Sequence, residues 1–392
     1  MTRIGLVVNP VAGLGGRVGL GGTDGPRLRH RALALGAVPL AGERAAAALR
    51  ELRAVSGSRA PGAIVAGPTS SSGEPEIVTA AGAMGADSAA AAGLTARIVY
   101  VPPNEGETSA EDTVAAVRAI VGEDIDLLLF AGGDGTARDV LTALGGQHGP
   151  VLGVPTGVKM HSAVFGVSPR AAGEAAAAWL ARSGTVRLRD AEVMDRDEDG
   201  LRDGRVTSRL HGWLPVPDLP ARVQQRKTGS TAGAPDTVTG IAAEVAERVG
   251  DGLLALGPGG TTRAVAAALG ADTSLTGVDA LALRPGRPAR VVLRDAGETA
   301  LLAAGPHWIA LSPIGGQGFL LGRGNQQISP RVLRAAGGRD RLLVLCTERK
   351  LAALAGRPLL LDTGDDTLDA ELTGYLPVIT GRRRTALYRL TT

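Results

Sequence analysis

Residues 129–136 read Leu-Phe-Ala-Gly-Gly-Asp-Gly-Thr, and behind the apolar run Ile125, Leu127, Leu128, Leu129 and Phe130 they have the form of a buried strand ending in a phosphate-binding turn. Gly132, Gly133 and Gly135 let the backbone approach a charged ligand with no Cβ in the way, and free amides in such a turn form an anion-binding concavity. Asp134 is the one acid held inside the turn. An acid there repels a phosphate unless it binds a metal or takes a proton from an attacking hydroxyl, and both are steps of phosphoryl transfer. The plainer alternative is an ordinary strand-to-helix turn in which Asp134 caps the following helix.

Composition sets the frame around that turn. With 392 residues the chain suits two domains, at roughly 150 residues each. Hydrophobic residues make up 44% but aromatics only 2%, so the core is built from Ala, Val, Leu and Ile, as in helices packed on a mostly parallel sheet. The lysines are Lys159, Lys227 and Lys350, and Arg supplies the remaining positive charge. A net charge of +3, without a basic stripe or interleaved aromatics, does not imply a nucleic-acid partner, and none is expected. The single cysteine, Cys346, lies in the apolar run that starts at Leu342, which predicts a buried, inert thiol and a reducing compartment. No apolar run reaches the ~18 residues that span a bilayer, and Ile4–Val8 carries no cleavable signal pattern. The expectation is a cytoplasmic protein that binds no membrane.

Along the chain, Ile4-Gly-Leu-Val-Val8 predicts a first strand leading through Asn9-Pro10 into a glycine-rich ligand loop, Gly13 to Gly25. A helix is expected from about Leu28 to Val55, then a connection of low order over Ser56–Pro75. Strands at Ile77–Thr79 and Arg97–Val101, helices at Ala86–Ala92 and Ser109–Val121, a helix from about Arg138 to Leu144 and a strand at Val151–Val154 make the alternation of βαβ units. That last strand ends in Pro155-Thr-Gly-Val-Lys-Met-His161, so two strand ends carry polar groups, where ligands collect in open parallel sheets. From about Thr185 short extended runs (Val186–Arg189, Val206–Leu210, Trp213–Val216) predict a β-rich second domain. Within it Gly257-Pro-Gly-Gly-Thr-Thr262 is a third Gly/Thr loop, either phosphate-binding or a plain connection capped by Thr262. The amide-rich stretch Gln317 to Gln327, with Asn325 and Gln326, suits recognition of a sugar or base edge; a hairpin with polar tips is its alternative.

The blocks Asn9-Pro-Val-Ala-Gly-Leu-Gly-Gly16, Gly22-Thr-Asp-Gly25, Ala131-Gly-Gly-Asp-Gly-Thr-Ala-Arg-Asp139, Gly153-Val-Pro-Thr-Gly-Val-Lys-Met-His161, Ser312-Pro-Ile-Gly-Gly-Gln-Gly318 and Gly322-Arg-Gly-Asn-Gln-Gln-Ile-Ser-Pro330 together resemble the ATP-NAD kinase-like family that includes the acetoin-catabolism X-type proteins. The resemblance runs nearly end to end and is weak across Leu40 to Glu76. It implies an NAD kinase-like fold: an α/β parallel-sheet nucleotide domain (1–184) and a β-rich substrate domain (185–392) whose C-terminal tail is a candidate to return to the first. By the same resemblance Asp134 stands beside the acceptor hydroxyl, and Gly132, Gly133, Gly135 and Thr136 hold donor phosphates. Asn9, Gly13, Gly15 and Gly16 form the other wall, with Thr156, Gly157 and Lys159 alongside. Thr23, Asp24, Glu192, Asp195, Gly260, Thr261, Thr262, Gln317, Asn325 and Gln326 face the acceptor. Metal ligands are not assigned.

One departure matters. The family pattern has Lys where this chain has Gly21, in Gly19-Leu-Gly-Gly-Thr-Asp-Gly25. Loss of a phosphate-facing lysine removes about 1.5–3 kcal/mol, or roughly tenfold to a hundredfold in binding, unless another group such as Lys159 substitutes. His161 reads as a loop hydrogen-bonder. The expectation is a kinase that uses ATP and Mg2+ to phosphorylate a small metabolite, with NAD as default acceptor, in a homo-oligomer (dimer or tetramer). A kinase for a different small alcohol and a non-catalytic nucleotide-binding protein are the alternatives. The Gly13–Gly25 loop lacks the Gly-x-Gly-x-x-Gly spacing of a dehydrogenase, and no amphipathic docking stretch suggests a lipid kinase.

Overall fold

A computed structural model describes residues 2–20, 26–57, 74–104, 106–146, 149–157, 160–181, 186–196, 208–219, 222–223 and 235–392. Gly21, Thr23, Asp24, the run Ala63–Ala66, and Lys159 lie outside the described residues. By internal contacts the chain divides into two units, Met1–Gly13 with Pro39–Arg226 and Leu14–Val38 with Lys227–Thr392.

The first unit is built on a five-stranded parallel sheet: β1 (Arg3–Val8), β2 (Glu76–Ala80), β3 (Ala96–Tyr100), β4 (Leu127–Gly132) and β5 (Val151–Pro155), in the order β3-β2-β1-β4-β5. Every residue of β4 and β5 is buried, which explains why these strands read as continuous apolar runs and not as alternations. The helices are α2 (Ala41–Gly57), α3 (Ala86–Ala91), α4 (Ala110–Val121), α5 (Asp134–Leu144) and α6 (Pro169–Leu180), counting as α1 the helix Pro26–Ala34 of the other unit. Ser109 and Asp112 form a reciprocal capping box on α4, and Ser168 caps α6 ahead of Pro169. Gly153 is required because a Cβ there would lie 2.3 Å from the Phe165 ring, which packs edge-on against Phe130 at 5.3 Å between centroids. The chain leaves β1 toward β2 on one side and enters β4 on the other. The sheet therefore reverses direction between β1 and β4, the place where open α/β sheets gather ligands at the strands' carboxyl ends.

The expected boundary after residue 184 and the observed division differ. Strands β6 (Leu188–Arg196) and β7 (Ser208–Pro217) form one long antiparallel hairpin, not a set of short runs, and its Ala191, Val193, Leu214 and Val216 join the core of the first unit. The single helix expected over 28–55 is two, α1 and α2. Gly36 adopts φ +83° so that Ala37 N–H reaches back to the Ala32 carbonyl, and Pro39 follows.

The second unit carries a nine-stranded mixed sheet. Its strands are β8 (Gly252–Leu256), β9 (Asp279–Arg284), β10 (Arg287–Leu293), β11 (Trp308–Leu311), β12 (Phe319–Leu321), β13 (Leu342–Leu345), β14 (Leu359–Leu361), β15 (Gly374–Gly381) and β16 (Arg384–Thr391), in the order β10-β9-β8-β11-β13-β15-β16-β14-β12. This matches the expected β-rich character, and helices cover both faces. On one face α7 (Pro235–Val249) and α8 (Gly260–Ala268) supply Ile241, Val245, Val265 and Ala266 to the core. On the other, α9 (Glu298–Ala304), α10 (Pro330–Ala336) and α12 (Asp366–Leu372) supply Leu301, Val332, Leu333 and Leu368; α11 is Glu348–Ala352. The tail stays in this unit, because β16 pairs with both β15 and β14. Residues 14–20 also belong here: Arg17 carbonyl accepts from Glu298 N–H at 2.9 Å.

Candidate functional site

The carboxyl ends of β1, β4 and β5 bring three glycine-bearing loops of the first unit together. Asn9 N–H bonds the Ala131 carbonyl and Thr156 N–H the Gly132 carbonyl, both at 2.9 Å, so the ladder continues past the strand ends. The Asn9 side-chain amide donates to Thr136 Oγ1 at 2.9 Å, tying the first loop to the first turn of α5. Side chains would destroy this approach. A Cβ on Gly13 would lie 1.9 Å from the Thr156 carbonyl oxygen, one on Gly157 2.9 Å from Gly133 Cα, and one on Gly132 2.3 Å from Thr136 Cβ. Gly133 is the N-cap of α5, and no side chain caps its first amides. Those amides, orphaned by helix geometry, carry the positive end of the helix dipole.

Asp134 does not cap its own helix. It is the first residue of α5, 6% exposed, and its carboxylate is turned onto the loop after β5. Oδ2 accepts from His161 N–H at 2.7 Å and lies 3.2 Å from His161 Nδ1; Oδ1 accepts from Ser162 N–H at 3.0 Å and from the Ser162 hydroxyl at 2.6 Å. The Ser162 oxygen in turn accepts from Met194 N–H at 3.0 Å, which pins β6 beside the turn. In this arrangement the carboxylate shapes the 160–162 loop, and an alcohol reaches it only by taking the place of the serine hydroxyl. His161, buried at 6% exposure, is the hydrogen-bonder the sequence suggested.

Thr156 carries the most direct sign of a ligand. Its hydroxyl is buried and has no hydrogen-bond partner among the described residues, at the centre of the glycine cradle. An orphaned donor there fits a phosphoryl oxygen. Arg44, on α2, donates from Nε to the Pro155 carbonyl at 2.5 Å, so a guanidinium stands at the end of β5. Sequence reasoning passed over Arg44, because one arginine in an Ala/Arg/Leu helix gives no signal of what its tip reaches.

The remaining expected residues fall in two groups. Glu192 and Asp195 sit on β6 in the first unit; Asp195 pairs with Arg138, one turn into α5, at 3.0 Å. Gly15, Gly16, Gly260, Thr261, Thr262, Gln317, Asn325 and Gln326 belong to the second unit. Asn325 uses its side chain on its own loop, accepting from Gly322 N–H at 3.0 Å and donating to the Leu320 carbonyl at 2.8 Å. Among the described residues no group of three or more His, Cys, Asp and Glu side chains is placed to hold a metal ion, and no helix is long and apolar enough to cross a membrane. A magnesium ion carried by phosphates needs only one or two carboxylates. Burial pushes the Cys346 thiol up to about 11, against the opposing charge of Lys350.

Comparison with known proteins gives two matches. Residues 5–183 match the family model of the ATP-NAD kinase N-terminal domain, and residues 243–390 that of the ATP-NAD kinase C-terminal domain. No curated protein and no solved structure matches the chain significantly.

Proposed function

Because the chain belongs to the ATP-NAD kinase family through both of its domains, we propose that it transfers the terminal phosphoryl group of ATP to a hydroxyl of a small metabolite, with the 2′-hydroxyl of the NAD adenosine ribose as default acceptor. The observation that carries this reading is the cradle at the β1/β4 reversal, where Gly13, Gly132 and Gly157 leave no room for a Cβ and the buried Thr156 hydroxyl has no partner among the described residues. Gly132, Gly133, Gly135 and Thr136 offer backbone amides to donor phosphates, Thr156 its hydroxyl, and Arg44 compensating charge. Magnesium, when bound with the nucleotide, neutralises charge developing on the phosphoryl oxygens. Phosphoryl transfer asks the protein mainly for alignment and electrostatic support, and preformed amides supply both without reorganisation. Asp134 receives the acceptor hydroxyl in place of Ser162 Oγ and orients it for in-line attack. The buried single thiol supports a cytoplasmic setting, and a homo-oligomer remains our expectation.

The test is incubation of the protein with Mg-ATP and NAD, with NADP read by enzymatic cycling. NADP formation that Asp134→Asn abolishes supports the reading; absence of ATP binding overturns it. A second reading, a kinase for another small alcohol, is favoured by Gly21 at the place of the family's lysine. ADP release with a sugar or polyol and none with NAD selects it. A third, nucleotide binding without turnover, is favoured by the fully engaged Asp134 carboxylate, and calorimetric binding without ADP release for any acceptor selects it.

A further inference from the structure

The second unit has a sheet reversal of its own. Strands β8, β11 and β13 are parallel neighbours, in registers Trp308↔Leu254 and Ile309↔Leu342, so their carboxyl ends lie along one edge. The chain leaves β8 for α8, whose Val265 and Ala266 pack on one face with Leu254 and Leu256. It leaves β11 through the Ser312 loop for β12 and then α10, whose Val332 and Leu333 pack on the opposite face with Ile309 and Leu311, before reaching β13 on the other side of β11. The connections from β8 and β11 thus run to opposite sides, to β9 and to β13, the arrangement that leaves a crevice at the strand ends. Close backbone approach is built in: a Cβ on Gly257 would lie 2.4 Å from Leu311 Cδ2.

Three polar side chains, each following a different strand, converge at this point. Lys350, from α11 after β13, places Nζ 2.8 Å from Ser312 Oγ, on the loop after β11, and 3.4 Å from Thr261 Oγ1, in the first turn of α8 after β8. Lys350 and Ser312 are half-buried, so the ammonium is oriented by hydroxyls yet still reaches solvent. A hydroxyl that accepts from an ammonium keeps its own proton to donate onward. Lys350 and Ser312 thus form a donor set with Thr261 and with the first amides of the nine-residue helix α8, which helix geometry leaves unpaired.

We propose that this crevice binds the phosphate group of a small phosphorylated metabolite, with Lys350 as its cation and Ser312 and Thr261 as its hydroxyl donors. An ammonium is a point charge suited to a phosphate's three oxygens, and the flanking hydroxyls fix its direction. The site is self-contained within the second unit and does not rest on phosphoryl transfer in the first.

The chain has three lysines, so reductive methylation with 13C-formaldehyde, which keeps the charge, gives a sparse NMR spectrum in which Lys350→Arg identifies one signal by its loss. Titration with inorganic pyrophosphate should shift the Lys350 dimethylamine resonance, saturably and less at high salt. Lys350→Met should weaken the binding of pyrophosphate seen by calorimetry roughly tenfold to a hundredfold and Ser312→Ala less, while Lys350→Arg retains part of it. An unchanged melting temperature of ligand-free Lys350→Met separates lost binding from lost fold. A Lys350 resonance that pyrophosphate does not move overturns the proposal and leaves the kinase reading intact. Failure of every turnover assay, with that resonance still shifting, leaves the site standing.

Discussion

Replacement of Asp134 by asparagine tests whether one carboxylate both shapes its loop and serves the chemistry. Each carboxylate oxygen accepts a backbone N–H, from His161 at 2.7 Å and from Ser162 at 3.0 Å. Whichever oxygen becomes an amide nitrogen, one of those buried N–H groups then faces another donor. Leaving one buried donor unsatisfied costs about 1–3 kcal/mol, and loss of charge assistance at the other oxygen adds to it, so a total of about 2–4 kcal/mol is expected. For a unit of this size that lowers the melting temperature by roughly 5–15 °C. Ser162→Ala removes one hydroxyl donor to the carboxylate and the acceptor of Met194 N–H but leaves both backbone bonds to Asp134, so it should cost about 1–3 kcal/mol. Circular dichroism melts of the two variants, run beside ADP-release assays, separate the roles. An Asp134→Asn protein that melts with the wild type refutes the argument that this carboxylate holds the loop.

Gly13→Ala should lower the urea midpoint of its unit more than Gly36→Ala does for its own: both have φ near +80°, but only Gly13 faces an atom, the Thr156 carbonyl oxygen, at 1.9 Å from the added carbon. Equal losses would show that the loops part without cost. Cys346 should resist an aromatic disulfide at pH 8 in the folded protein and react on unfolding, since burial holds its thiol near 11; rapid native labelling contradicts this. Asp369 carries a pH signature: burial pushes its carboxyl up to about 6 in spite of bonds from Thr363 N–H and hydroxyl. With the folded value above the unfolded one, the folded state binds the extra proton. This group's contribution is therefore most favourable below about pH 4 and is lost as pH rises through about 6, by at most about 3 kcal/mol. Asp369→Asn should flatten that window in urea midpoints taken from pH 4 to 7, and a wild-type midpoint that rises across it relative to the variant refutes the assignment.

Much of the first unit was legible because its strands are buried on both faces: Leu127–Phe130 and Val151–Val154 are apolar runs with turn glycines behind them, and no other local structure suits them. The cradle was legible for a related reason, since glycines are demanded wherever two backbones touch. What escaped depended on distant partners. Nothing local in Leu188–Arg196 says that the hairpin packs on α5, where Gly212 leaves only 2.9 Å between an added Cβ and Leu141 Cδ2. The direction of the Asp134 carboxylate was equally hidden, because its donors lie 27 and 28 residues later. Lys350, one of three lysines, stood out in the composition, but its meeting with Ser312 and Thr261 depends on the order of three strands.

The position of β16 has a consequence for how the polypeptide is made. It lies between β15 and β14 and so joins the short pair β14–β12 to the rest of the nine strands. Until residue 391 has cleared the ribosome, β12 and β14 have no neighbour through which to join that sheet, though their own residues emerged some thirty to seventy positions earlier. Leu14–Val38, synthesised well before Lys227–Thr392, belongs to the same late-forming unit and must wait longest of its parts. The parallel five-stranded unit has no such dependence and is free to fold co-translationally, so a stalled or prematurely released chain would present one finished half and one exposed to chaperones and proteases.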